Sequence, residues 1–403
     1  MLLKLAWKNI WRNRRRTLIT ISAIGFAVLF AVMMRSVNQG VEEQMVKTSV
    51  ENRLGYIQIH TQGYWEEKAI DNAMFADDIP MQKIENLHNV ASIAPALEVG
   101  MIVSFKNNSR GTFMSGIDLN AEPPQLVKNA LIAGNFPDIN KNEVLLGIEL
   151  ADFIDAEIGD TLVYLGVGYH GASAAGLYVV SGLLDFHMPE LNRLSSYVGL
   201  SNLQELMQAP GILTSININL NQPKKLLETQ TAIQKEMTNE YEVMTWKELL
   251  PDLEQLIQTS IAKGYIMNII LYLIISFVMF GTVLMATQER KYEMGVLQAI
   301  GMKRRKAMAL VVIENVIISI FGVIVGALGA FPIMYYFHTN PLEITGEQAA
   351  QIQEMGIDPV IPFSIDPMIL VNHGLVVLFI SILLILYPIM IIRKLKPVEA
   401  MKL

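Results

Sequence analysis

The sequence predicts a multi-pass α-helical membrane protein: four transmembrane helices with a large external α+β domain between helices 1 and 2. Three observations predict it. The 403 residues are 52% hydrophobic and 17% charged, where a soluble chain of this length usually carries about a quarter charged residues. Four stretches, 17–37, 266–287, 307–337 and 371–392, reach the roughly 20 mostly apolar residues that cross a bilayer. Finally, 16 of the 31 basic residues fall in residues 1–16, 289–306 and 393–403. Short segments rich in Lys and Arg stay cytoplasmic, so both termini and the middle segment are inside. The stretch 39–264 has 14 basic and 29 acidic residues, and 338–370 has none and five. The net charge of −7 therefore hides a basic inner face and an acidic outer one, and says nothing about nucleic acid.

Each segment follows in order. Residues 1–16 form a basic cytoplasmic helix, and 17–37 the first span. That apolar run is too long for a signal peptide and lacks a small-residue cleavage site, so it reads as an uncleaved anchor. Residues 38–265 form the external domain. Its edges look like helical extensions of the spans, with Val37, Val41, Met45 and Thr48 on one face of the outgoing stalk. Leu249, Leu253, Leu256 and Ile261 share a face of the returning one, with Pro251 tolerated near its start. Between them, 54–62, 96–105, 111–119, 214–220 and 241–246 read as strands, with helices near 81–88 and 223–237. A second block, 121–204, reads as a β-rich insertion with strands at 143–147, 161–167, 177–184 and 196–200. Residues 266–287 are the second span, 288–306 a cytoplasmic connector and 307–337 the third span. An external loop follows at 338–370, then the fourth span at 371–392 and a cytoplasmic tail at 393–403.

Several chemistries are excluded. There is no cysteine, hence no disulfide, thiolate metal site or lipid-modified cysteine. "GVGYHG" (Gly166–Gly171) matches G-x-G-x-x-G, but strand-like runs flank it on both sides, so it reads as a hairpin loop and not as a dinucleotide site. No P-loop pattern occurs. The six histidines show no metal-ligand spacing, and paired carboxylates such as Glu66-Glu67 and Asp77-Asp78 read as solvated surface. No catalytic, cofactor or metal residues are expected, and the chain is not expected to be an enzyme.

The third span carries a carboxylate, Glu314, eight residues in from Ala307. Such a group is costly in a bilayer, and three roles stay open: facing the bundle, snorkelling to the interface, or carrying a proton. Arg35 ends the first span as an outer-interface anchor. The third span, about 46 Å of helix against a hydrocarbon core of about 30 Å, must tilt, protrude or break near Pro332. Gly322, Gly326 and Gly329 allow close approach of another helix. No span has the polar stripe of an ion or sugar channel, so a hydrophobic or amphiphilic cargo is expected.

The connector "ERKYEMGVLQAIGMKRRK" (Glu289–Lys306) is more than a loop. Met294, Leu297 and Ile300/Gly301 make a helical stripe, while Gly295 and Ala299 make a small face at i, i+4. Glu289 and Glu293 lie in its first turns and Lys303–Lys306 beyond its end, as the helix dipole favours. A short helix on the cytoplasmic side is expected, its small face free to enter a partner's groove.

At these residues the chain resembles the FtsX/MacB/LolE-type permeases of the type VII ABC transporter superfamily. "ERKYEMGVLQAIGM" is similar to their coupling-helix motif at Glu289, Arg290, Glu293, Gly295, Ala299 and Gly301. "LAWKNIWRNRRRTLIT" resembles their leading helix, and "IENVIISIFGVIVGALGA" the span that follows the motif, including Glu314. "KLKPVEAMK" resembles their C-terminal ending. The resemblance implies a homo- or heterodimeric permease in the bacterial inner membrane, with two copies of a separate ABC ATPase that binds the ATP. ATP-driven closure would move periplasmic subdomains, Porter-like (53–120 and 205–246) and Sabre-like (121–204), by mechanotransmission. "LGYIQIHTQGYWEE" is similar to the lipoprotein-releasing LolC/LolE-like branch. That implies lipoprotein extraction from the inner membrane, with a periplasmic lipoprotein carrier or a membrane-fusion protein as a further partner. MacB-like drug or peptide efflux and FtsX-like regulation of an envelope enzyme are the alternatives.

Overall fold

The computed structural model describes residues 2–12, 14–119, 124–354 and 359–394. The tail motif beyond Lys394 and the expected boundary at Glu122 and Pro123 lie outside them. The described residues form two compact units. One comes from Met1–Glu43, Gln258–Glu343 and Val360–Leu403, and the other from Gln44–Ile257 and Ile344–Pro359.

The first unit is helical: α1 (Leu2–Arg12), α2 (Arg14–Val46), α3 (Pro251–Ala299), α4 (Arg304–Thr339), α5 (Pro367–Leu384) and α6 (Leu386–Lys394). Among the described residues four helical segments are long and apolar enough to cross a membrane, α5 and α6 together making the fourth. α4 is the centre of this unit and packs against α1, α5 and α6. It runs through Pro332 without a break, so of the outcomes open to the long third span, breaking is not the one taken. The division between α5 and α6 has a local cause. Pro388 offers no N–H to the carbonyl of Leu384, four residues back, and its ring crowds that carbonyl. α5 ends at Leu384.

The connector differs from expectation. No separate short helix begins at 288, because α3 is one helix of 49 residues from Pro251 to Ala299. After Pro251 it contains no proline, and its two glycines before the connector, Gly264 and Gly281, each weaken a helix by only about 1 kcal/mol. Nothing in the chain stops the helix until Gly301.

The second unit is a mixed α/β domain built on ten strands: β1 (Ile57–Thr61), β2 (Val90–Phe105), β3 (Asn108–Ile117), β4 (Leu131–Gly134), β5 (Glu143–Gly147), β6 (Thr161–Val167), β7 (Ser173–Leu184), β8 (Ser195–Gly199), β9 (Ser215–Leu220) and β10 (Tyr241–Thr245). Among the described residues these form one ten-stranded sheet, beside two short two-stranded ladders. β10, β1, β9 and the first half of β2 pair antiparallel in that order. Helices Met81–Glu85 and Leu226–Glu236 connect β1 to β2 and β9 to β10. This is a β-α-β-β-α-β unit. Everything from the second half of β2 to β8 is inserted between its second and third strands.

The insertion closes on itself. β2 pairs β3, β3 pairs β8, β8 pairs β5, β5 pairs β7, β7 pairs β6, and β6 returns to β2. Alternating residues of this ring point inward: Leu97, Val99, Met101 and Val103 on β2, Leu162 and Tyr164 on β6, Tyr178 and Val180 on β7 are all buried in one core. Tyr164 and Tyr178 meet edge to face at 5.6 Å, and the Tyr164 hydroxyl donates to Ser196 Oγ at 2.9 Å.

The second half of β2 and all of β3 lie within residues 53–120 but pair with strands of 143–199. A strand's periodicity says which face is buried but not which strand lies beside it. The "GVGYHG" segment joins antiparallel β6 and β7 as a hairpin loop.

Candidate functional site

The charged segments of the helical unit meet around the last turns of α3. Glu289, Arg290 and Glu293 lie at i, i+1 and i+4, so they share one side of α3. Each finds an opposite or complementary group on another helix. Glu293 Oε1 is ion-paired with Arg12 Nη2 of α1 at 2.8 Å, and Glu289 lies 4.0 Å from Arg16 of α2. Arg290 Nη1 is ion-paired with Glu314 Oε2 of α4. The other oxygen of Glu314 accepts from Asn9 Nδ2 of α1 at 2.9 Å.

These contacts are unequal. The Arg12–Glu293 pair is exposed, at 62% and 42% of its side chains, and such pairs contribute about 0–1 kcal/mol. Glu314 is fully buried and Arg290 is 11% exposed. A buried charge pair of this kind is sensitive to loss of either member, because the survivor stays in a low-dielectric site without compensation. The Glu314 side chain faces the bundle, against Arg290 of α3 and Asn9 of α1.

The end of α3 is a designed stop. Gly301 N–H donates to Gln298 O at 3.1 Å, and Met302 N–H donates to Leu297 O at 3.0 Å. With Gly301 at φ +103°, this is a Schellman termination, which needs a residue without a Cβ penalty. Leu297 and Met302 close it through one apolar cluster that also contains Met294, Ala307, Val311 and Ile392.

The expected small face is divided. Gly295 is buried within the chain, while Ala299 is exposed, so the pair does not form one free docking surface. What projects instead is the tip: Ala299, Gly301 and Lys303–Lys306 are exposed, with Ile300 at 79%.

The glycines of α4 sit elsewhere on that helix, against α2. A Cβ on Gly322 would lie 2.6 Å from Ile24 Cβ, and one on Gly326 would lie 2.5 Å from Gly25 O. Gly329 would meet only Leu29 Cδ1, at 3.5 Å. Arg35 pairs with Glu42 on its own helix at 3.2 Å. Asn9, Arg12 and Arg16 are the site residues that sequence reasoning missed. Their basic run was legible, but their individual partners were not. Among the described residues no cluster of His, Asp or Glu is placed to hold a metal.

Four membrane-length helices, a large α/β domain and a charged helix tip define a multi-pass membrane protein with a folded domain outside its spans. Residues 17–236 match the MacB-like periplasmic core domain, and residues 265–397 match the FtsX-like permease C-terminal family. The chain belongs to the FtsX/MacB-type ABC permeases, which work with ABC ATPase partners, generally as dimers. Similar solved structures include the extracellular domain of the noncanonic ABC-type transporter YknZ from Gram-positive bacteria. It is 12% identical, with 47% of this chain and 99% of that one covered at a TM-score of 0.33. The periplasmic region of MacB from Actinobacillus actinomycetemcomitans is 15% identical, with 50% and 94% covered at a TM-score of 0.34. No curated protein matches the chain.

Proposed function

We propose that this chain is a non-catalytic permease subunit that passes ATP hydrolysis in a separate ATPase to its own external domain, for extraction of lipoproteins from the bacterial inner membrane. One observation carries the coupling role. α3 is a single helix whose exposed tip is tied through Arg290 and Glu314 to the centre of the helical unit. A push on the tip therefore acts on a rigid lever and not on a loop. α2 and α3 each contain residues of both units, which supports an external domain placed between the first two spans. The β-α-β-β-α-β unit is read as Porter-like and the strand ring as Sabre-like. An amphiphilic cargo is supported by the ring's outward face, where Ile102 lies opposite Leu165 and Val163 opposite Leu177. All four are exposed, at 38–59%.

Ile300→Asp places a charge on the exposed tip without touching the core. Co-purification of the ATPase is expected to fall roughly tenfold, about 1.4 kcal/mol of binding, with the chain still in the membrane. If the Ile300→Asp variant retains its ATPase and full cargo-dependent turnover, the tip is not the coupling element. Orientation has its own check in this cysteine-free chain. A membrane-impermeant thiol reagent applied to spheroplasts is expected to label Asn140→Cys but not Lys303→Cys, and the reverse pattern would invert the topology.

A further inference from the structure

The segment that joins α4 to α5 closes on the C-terminal part of α2. Its two ends pair as a short antiparallel ladder, Leu342 opposite Ile361 and Glu343 opposite Val360. The next residues lie on α2. A Cβ on Gly40 would fall 2.4 Å from Pro362 O and 3.0 Å from Phe363 N, so backbone rests on backbone there and no side chain fits. Ser36 Oγ donates to Ser364 O at 2.6 Å, and Ser364 N–H donates to Ser36 O at 3.0 Å. Ser364 Oγ donates to Glu43 Oε1 at 2.9 Å. Ser36, Gly40 and Glu43 stand at i, i+4 and i+7, on one face of α2.

The same segment is fixed to α4 and α5. His338 Nδ1 of α4 donates to Phe363 O at 2.7 Å, and Phe337 stacks on Phe363 with ring centroids 5.1 Å apart. Asp366 caps α5, its Oδ1 accepting from Met368 N–H at 2.9 Å. Further back on α2, Gly25 lies against Gly322 and Gly326 of α4 at backbone distance. α2 is therefore seated at two levels.

α3 meets α2 more loosely. Gly264 of α3 faces Asn38 of α2, and a Cβ there would come no closer than 3.5 Å to the Asn38 amide, an ordinary contact. Asn38 Nδ2 and, one turn along α3, Asn268 Oδ1 are buried without a hydrogen-bond partner among the described residues. Unpaired buried amides are uncommon in a well-seated contact. Ile266, Ile269, Leu273, Ile274 and Phe277 of α3 are exposed, at 55–75%.

We infer that Val360–Asp366 is a clasp that makes α2 part of a fixed frame with α4 and α5, and that α3 is the stalk helix that shifts when the tip is pushed. Moving α2 against the frame breaks the three hydrogen bonds of Ser36 and Ser364 and opens a backbone contact. Moving α3 past Asn38 gives up no hydrogen bond of the two unpaired amide atoms. This role for the clasp rests on the coupling function proposed above.

Two disulfides in the cysteine-free chain test it. Ser36→Cys with Ser364→Cys ties α2 to the clasp. Asn38→Cys with Gly264→Cys ties α2 to α3, since a Cβ at 264 lies 3.9 Å from Asn38 Cβ, a distance that a disulfide spans. Each full-length double variant is reconstituted with the ATPase and oxidised, and closure is checked by gel shift with a maleimide polymer. Permease-dependent ATPase turnover is then measured before and after reduction. The clasp disulfide is expected to leave turnover within about twofold of the reduced form, and the α2–α3 disulfide to lower it at least roughly tenfold, with recovery on reduction. Loss of turnover on closing the clasp, restored by reduction, overturns the inference, because the clasp then has to open. Full turnover with the α2–α3 disulfide closed overturns it too, because α3 then need not shift. A Ser364→Cys that cannot be joined to Ser36→Cys means that α2 is not clasped. A wild-type permease without effect on the ATPase removes the coupling function itself, and this role with it, before either disulfide is made.

Discussion

Arg290→Ala is expected to be the most damaging single substitution in the helical unit. It leaves Glu314, which is fully buried, as an uncompensated charge among α1, α3 and α4, with only the amide of Asn9 to satisfy it. Breaking a buried ion pair by removing one partner typically costs about 3–5 kcal/mol. Adding Glu314→Met to the same chain is expected to recover most of the loss, because two apolar residues can replace such a pair at little net cost. Thermal denaturation of the detergent-purified single and double variants measures both effects. A single variant destabilised by less than about 1 kcal/mol, the range of an exposed pair, would show that the pair is solvated. A double variant no better than the single one would show that the damage comes from lost packing. The same substitution is expected to weaken the dependence of ATPase turnover on the permease, because α3 would no longer be held to α4 at the end where it is pushed.

Gly326→Ala follows in expected effect. The added methyl group would lie 2.5 Å from Gly25 O, 3.1 Å from Gly25 C and 2.8 Å from Val28 Cβ. Two of these neighbours are backbone atoms of α2, which cannot rotate out of the way as a side chain can. α2 and α4 must separate or shift, and overpacking of this kind costs about 1–3 kcal/mol. Gly329→Ala is the matched comparison. Its methyl group meets one atom, Leu29 Cδ1, at 3.5 Å, an ordinary contact, and a change within about 0.5 kcal/mol is expected. Equal thermal stability of the two variants would mean that the helices have slack and that the glycines are not a packing device. Since α2 begins with the arginines that include Arg16, which faces Glu289, its fit against α4 also sets the frame in which those charges meet.

The sequence by itself determined what depends on local composition and spacing. Twenty-residue apolar runs located the membrane helices, because a bilayer imposes one length on any segment that crosses it. Alternation located most of the strands of the second unit, since a half-buried strand shows period two wherever it pairs. The glycines at 322 and 326 marked positions where another helix could approach closely. Even the presence of a costly carboxylate at 314 was legible, though not its role.

Only the tertiary structure decided who meets whom. Glu314 and Arg290 are 24 residues apart in the chain, and Asn9 is 305 from Glu314. No periodicity links them, and their interaction exists only once α1, α3 and α4 are packed. Only 96–105 of β2 read as a strand, yet the strand starts at Val90, and its first half pairs with β9 and its second half with β3 and β6. The ring therefore took in residues that its sequence neighbours appeared to claim. The small face at Gly295 and Ala299 looked continuous because i and i+4 adjoin on any helix. Packing of Met294 into the apolar cluster around Ala307 and Val311 buried Gly295 beside it and left Ala299 and Ile300 in the open. Periodicity is a property of one segment, whereas burial and charge pairing belong to at least two, and so the elements could be read from the chain but the site they build could not.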